Sequence, residues 1–342
     1  MHLFDPRRYG PANTSSPLLR LAEDEQKRGE LVRGLRDLAA TGRDVEIGGT
    51  LAAAPSAVLY RRVWQALCEA IEKPPSDEGV AARVFAVPWI IVCGASAAAT
   101  LPCVVPDASE LARVLEANGA FGASRNLGLG NALVSIEALE ALPPSAILRW
   151  PQEPKMREVP PAPIHVAGGT EEVHVRFLLG AAIAPSTSPS IVETGANIAV
   201  WGTPALRAMA KQLATTAVQI LPMPRPPAGL YSAAHAGRRA GVEAAFNLFM
   251  GNAVRRFRSA VGDPHVTLSS HAGGELRVTL STPFDDALIE GFRWPLHPAD
   301  DLAEVERALT SMIRECRLAE PRFVPGVLPD YSPTGAVLFP TA

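Results

Sequence analysis

Hydrophobic positions along this chain follow two rhythms, one of about 3.6 residues and one of two, and the changes between them mark its elements. The clearest helical run is Ala234 to Gly262. Its Val242, Phe246, Phe249, Met250, Ala253 and Phe257 stand at offsets of 4, 7, 8, 11 and 15 and share one face. Directly downstream, Val266 and Leu268 alternate with Thr267 and Ser269, and Leu276, Val278 and Leu280 alternate with Arg277 and Thr279. With Gly273 and Gly274 supplying a turn, this predicts a hairpin with one apolar face, in a sheet covered on one side. The helix stripe and the hairpin face both need cover, and short connections favour pairing them. A capped helix follows in "HPADDLAEVERALTSMIREC", with Leu302, Val305, Leu309 and Ile313 turned inward.

Earlier in the chain, "PLLRLAEDEQKRGELVRGLRDLAAT" predicts one exposed amphipathic helix opened by Ser16 and Pro17. "DVEIGGTLA" reads as a short strand. "SAVLYRRVWQALCEAIEK" reads as a helix with Val58, Leu59, Val63, Leu67 and Ile71 inward, stopped by Pro74 and Pro75. Val87 to Val105 carries no charged residue. A membrane helix needs about 20 apolar residues, but the strongly apolar part here, Val87 to Cys93, has only strand length. It predicts a buried strand, with "LPCVVPD" as a second extended piece forming a hairpin with it. Asp107 with Glu110 three residues on predicts a capped helix. "EEVHVRFLLGAAIA" reads as a half-buried strand and "SIVETGANIAVWG" as another extended piece. Thr203 and Pro204 are expected to open a helix, and "AVQIL" to form a strand.

Together these patterns predict an α+β protein: two lobes with mixed or antiparallel sheets flanked by amphipathic helices. Pro151 to Ile164 holds five prolines and is the best linker candidate. The expected division is an extended arm over 1–16, a domain over 17–150, a proline-rich linker over 151–163, a second domain over 164–325 and a proline-rich tail over 326–342.

Composition narrows the function classes. Of 342 residues, 47% are hydrophobic and 20% charged, which is the composition of a folded chain, not a disordered one. The net charge of -3 supplies no global basic field for nucleic acid or anionic lipid. Cys68, Cys93, Cys103 and Cys316 form no Cys-x-x-Cys pair and read as reduced, mostly buried thiols of a cytoplasmic protein. The segment after Arg7 and Arg8 lacks the apolar run of a secretory signal.

Candidate chemistry is sparse. "CGASAA" sets Ser96 after an apolar strand, in a loose likeness to a nucleophile elbow, but Ala98 stands where the second glycine belongs. Gly119, Gly122, Gly128 and Gly130 make a glycine-rich loop that, with Arg125, could cradle a phosphate, though no lysine follows at P-loop spacing. None of the seven histidines has zinc-site spacing, so no cofactor and no metal are expected. Arg238, Arg239, Arg255, Arg256 and Arg258 flank the aromatic helix face and would suit an acidic protein partner. The leading expectation is a noncatalytic adaptor or structural subunit of a bacterial multiprotein assembly, working through protein–protein contacts or self-association. The alternative is a hydrolase or transferase with a site near Ser96 and the Gly122 to Asn131 loop.

Overall fold

The computed structural model describes residues 16–73, 79–94, 99–120, 125–150, 159–166, 168, 171–185, 198–213, 218–221, 228–271, 274–282, 288–324 and 338. The fold is α+β, with antiparallel and mixed sheets flanked by helices. No helix among the described residues is long and apolar enough to cross a membrane. The chain divides into two compact units at Gly241/Val242.

The first unit opens with helices α1 (Pro17–Glu23), α2 (Arg28–Ala40), α3 (Asp44–Ala52) and α4 (Ala57–Glu72). The single helix expected over 17–41 is broken at Asp24. There the backbone turns extended, and the carboxylate accepts from the Gln26 N–H at 3.0 Å to start a short 3-10 turn. "DVEIGGTLA" is α3, not a strand. Its Ile47 and Leu51 stand one turn apart and are both buried, a helical spacing that a period-two reading misses. Val63, Leu67 and Ile71 of α4 are buried as expected, but Val58 in its first turn is 54% exposed.

The main sheet of this unit runs β3 (Arg125–Val134), β5 (Glu172–Pro185), β1 (Val80–Cys93), β6 (Val218–Leu221), all antiparallel. Val87 to Cys93 is therefore buried strand. Its expected hairpin partner goes elsewhere. Ala99–Leu101 (β2) pairs with Ile164–Val166 (β4), and Val104 bridges to Ala132. The glycine-rich segment is a strand from Arg125 onward, with register shifts against β5 where it bulges. β1 and β3 precede the proline-rich 151–163 segment and β5 follows it, yet all three share one sheet. The expected boundary there thus differs from the observed division, because pairing between distant strands overrides local proline content.

One face of this sheet packs Phe85, Val87, Trp89 and Ile91 against Leu111, Leu115, Ala205 and Met209. The last four lie on α5 (Ala108–Ala117) and α8 (Ile198–Leu213). α5 begins as expected: Asp107 accepts the Glu110 N–H at 2.9 Å. α8 extends from Ile198, so Pro204 sits inside it and does not open it. The opposite sheet face meets α9 (Leu230–Ala260). A Cβ on Gly237 would fall 2.4 Å from Phe177, and one on Gly241 2.5 Å from Val175, so only glycine lets this helix lie so close to β5. Two small helices complete the unit, α6 (Ile136–Glu140) and α7 (Pro144–Arg149).

The second unit takes up α9 from Val242 and adds a sheet in the order β10 (Arg322–Phe323), β7 (His265–His271), β8 (Glu275–Ser281), β9 (Ile289–Pro295). The hairpin register His265↔Ser281 to His271↔Glu275 is the expected one, with Gly274 at φ +74° in the turn. Phe246, Met250, Ala253 and Phe257 are buried against Val266, Leu268, Leu276, Val278 and Leu280, with Val242 and Phe249 partly buried beside them. β9 adds Phe292 and Trp294, whose rings lie 5.2 and 5.7 Å from Phe246 in edge-on geometry. α10 (Leu302–Glu315) contributes Val305, Leu309 and Ile313, but Leu302, its first residue, is 42% exposed. The polar face of the hairpin is not left to solvent: Ser269, Arg277 and Thr279 are all buried.

Phe246→Ala would leave a cavity among Phe292, Trp294 and the hairpin and should destabilise the second unit by about 3–5 kcal/mol. Leu302→Ala, at an exposed position, should stay within about 0.5 kcal/mol. Urea denaturation of both variants beside the parent chain checks this contrast.

Candidate functional site

Among the described residues, the predicted site residues are not brought together into one centre. Ser96 and Gly122 lie outside the described residues. Gly128 and Gly130 stand within β3, where Gly128 pairs across from Ala181. Arg125 begins the same strand. A strand replaces the expected loop, so these positions do not open a helix whose N–H groups could gather on a phosphate.

The five arginines on α9 fall into two groups about five turns apart along the helix. Arg238 lies in the first unit and donates to the buried Glu140 carboxylate at 2.7 Å. Arg239 is half-buried beside it in sequence. Arg255, Arg256 and Arg258 lie in the second unit on the exposed side of the last turns. Arg256 forms a two-pronged pair with Glu290, which holds its guanidinium above the ordinary value. Arg258 donates to Asp263 at 2.6 Å and to the Cys316 carbonyl at 3.1 Å. Arg255 donates to Asn252 of its own helix at 3.1 Å. Val261, just past the helix end, is also exposed. The C-terminal end of α9 thus carries a basic surface, two of whose arginines are held in place by acidic neighbours.

Three buried polar clusters were not legible in the sequence. In the first, the Cys103 thiol receives donors from Arg176 and the Ile164 N–H, and its backbone adopts φ +56°. Burial nevertheless raises this thiol, and burial with the nearby Glu172 raises Cys93. Both are therefore protonated and unreactive at neutral pH. Arg176 is anchored by the Ala162 and Val175 carbonyls at 2.8 and 2.9 Å. His174 bonds Glu172 at 3.1 Å, yet burial and Arg176 lower it. Among the described residues no three His, Cys, Asp or Glu side chains converge to hold a metal.

The second cluster caps helices from outside. Glu72 at the end of α4 accepts the Ser232 N–H at 2.9 Å and its hydroxyl at 2.5 Å, at the start of α9. A Cβ on Gly229 would fall 2.2 Å from the Glu72 side chain, so the chain enters α9 through a glycine. Asp44 repeats the device on α7, accepting the Ser145 N–H at 2.9 Å and hydroxyl at 2.6 Å. A carboxylate at a helix N-terminus satisfies orphan donors and complements the helix dipole. The third cluster is the buried polar face of the β7–β8–β9 sheet. Strict alternation made it look like a solvent face, and only the folded chain reveals its burial. Comparison with family models, curated proteins and solved structures finds no match to this chain.

Burial raises the Glu72 carboxyl above its ordinary value, opposed by the donors of Ser232 and Tyr231 and by Lys73. The folded chain keeps this proton to higher pH than the unfolded chain does. The stability it contributes is full at low pH and is lost as pH rises through the raised folded value. Glu72→Gln keeps an acceptor for Ser232 but does not titrate. The stability of the parent relative to Glu72→Gln should therefore fall as pH rises. Paired urea titrations between about pH 4 and 8 measure that slope.

Proposed function

We propose that the chain is a noncatalytic adaptor or structural subunit of a bacterial cytoplasmic assembly, with the exposed end of α9 as its contact for an acidic protein partner. The observation that carries this reading is the division of labour on α9. Phe246, Met250, Ala253 and Phe257 fill the core of the second unit, while Arg255, Arg256 and Arg258 of the same helix stay on its outer side. Arginine suits protein interfaces because its planar fork binds carboxylates with two parallel hydrogen bonds. Glu290 and Asp263 hold Arg256 and Arg258 in place, which lowers the entropy lost when a partner docks. Val261 adds apolar area at the same end. The carboxylates that bond Ser232 and Ser145 support the same reading, since Glu72 and Asp44 serve as helix caps.

Arg255→Ala should leave the melting temperature of the chain unchanged, because its bond is to an exposed helix neighbour. Arg256→Ala should cost no more than about 1 kcal/mol for an exposed ion pair. Together the two changes should weaken recovery of copurifying protein about tenfold or more in a native pull-down at low salt, with the gap between parent and double variant narrowing as salt is raised. Undiminished recovery of the same partner by the folded double variant would sink this reading.

A further inference from the structure

Helix α9 contains Gly237, Gly241 and Gly251. The first two lie where a Cβ would strike Phe177 and Val175 of β5. Gly251 has no such cause. It is exposed, well inside the helix, and a Cβ built on it would meet nothing within 4 Å. A glycine inside a helix gives up more chain entropy on folding than alanine would. Within the chain, therefore, Gly251 only weakens its helix.

Its neighbours along the helix share its exposure. Asn247, Gly251, Arg255 and Ser259 follow at intervals of four, so they stand one above another on one side, turned away from the buried Phe246, Met250 and Phe257. Arg255 also differs from the other two arginines of this end. Arg256 and Arg258 bond carboxylates of the chain itself, Glu290 and Asp263. Among the described residues Arg255 meets no carboxylate and donates to the neutral Asn252 Oδ1 at 3.1 Å. The face thus offers bare backbone at Gly251 and, one turn on, a guanidinium fork open to an acid. A missing side chain lets the ridge of a second helix sink into the groove and bring the two axes close. The fork then takes a carboxylate with two parallel hydrogen bonds. Resting on the docking surface proposed above, we infer that its acidic partner presents an α-helix along 247–259, packed on Gly251 with an Asp or Glu held by Arg255.

Gly251→Leu tests this in the full chain. Leucine is the better helix former and has open space in the free chain, so the variant should melt at or above the parent temperature. Recovery of the protein that copurifies with the parent should nevertheless fall at least about tenfold, because the side chain overfills the crossing. Gly29→Leu, at an exposed glycine of α2 with the same open space, should leave recovery unchanged. A photo-crosslinking side chain at Asn247 should join a partner peptide that carries Asp or Glu and is helical in the isolated partner or its complex. Undiminished recovery by Gly251→Leu, an equal loss in Gly29→Leu, or a crosslinked segment that is extended or lacks an acid would each overturn the inference. If Arg255→Ala with Arg256→Ala still loses the partner in those cases, the docking surface stands and only the helix assignment falls. If neither the arginine changes nor Gly251→Leu alters recovery, both fall.

Discussion

The antiparallel ladder of β1 with β5, continuous from Val80↔Pro185 to Cys93↔Glu172, is the constraint on which the first unit depends. It joins segments about a hundred residues apart, so its closure entropy must be repaid by burial on both faces. The sequence of β1 meets that demand with Phe85, Val87, Trp89 and Ile91 on one side. On β5 the demand is met differently. Gly180 sits across from Phe85, and a Cβ there would fall 2.2 Å from that ring, so the phenylalanine covers the glycine's backbone. Val175 and Phe177 project from the other face and are met by glycines of α9. Large side chains on the strand against missing ones on the helix give the close contact that bulky residues on both would prevent.

Around this ladder several polar side chains pair with groups that helix and strand ends leave over, carboxyl oxygens with N–H donors and a guanidinium with carbonyl acceptors. Glu72 and Asp44 take the first N–H groups of α9 and α7, and Arg176 takes free carbonyls beside β4. Glu140 takes Arg238. A buried charge costs several kcal/mol unless paired, so each such pair specifies one arrangement of its elements and penalises alternatives.

In the second unit the aromatic cluster of Phe246, Phe292 and Trp294 fixes α9 on its sheet, and that packing positions the arginines of the last turns at the surface. A docking surface built on a well-packed helix keeps its geometry when free, which favours recognition of a partner without reorganisation.

Periodicity alone determined the parts of this protein that burial dictates locally. The stripe on α9, the β7–β8 hairpin, the strand at Val87–Cys93 and the capped helix after Asp107 all follow from side chains that must face a core or satisfy a neighbouring N–H. Long-range pairing was illegible. β2 joins β4 instead of β1, the glycine-rich segment becomes β3, and strands on both sides of the proline-rich stretch share a sheet. Hydrogen bonds between strands are made by backbone that every residue carries, so their partners leave no mark in side-chain type. Sites suffered most. Ser269, Arg277 and Thr279 alternate as a solvent face would, and Cys103 and Arg176 are far apart in the chain. What separates a wet polar face from a dry one is cover from elsewhere in the fold, and only the tertiary structure supplies it.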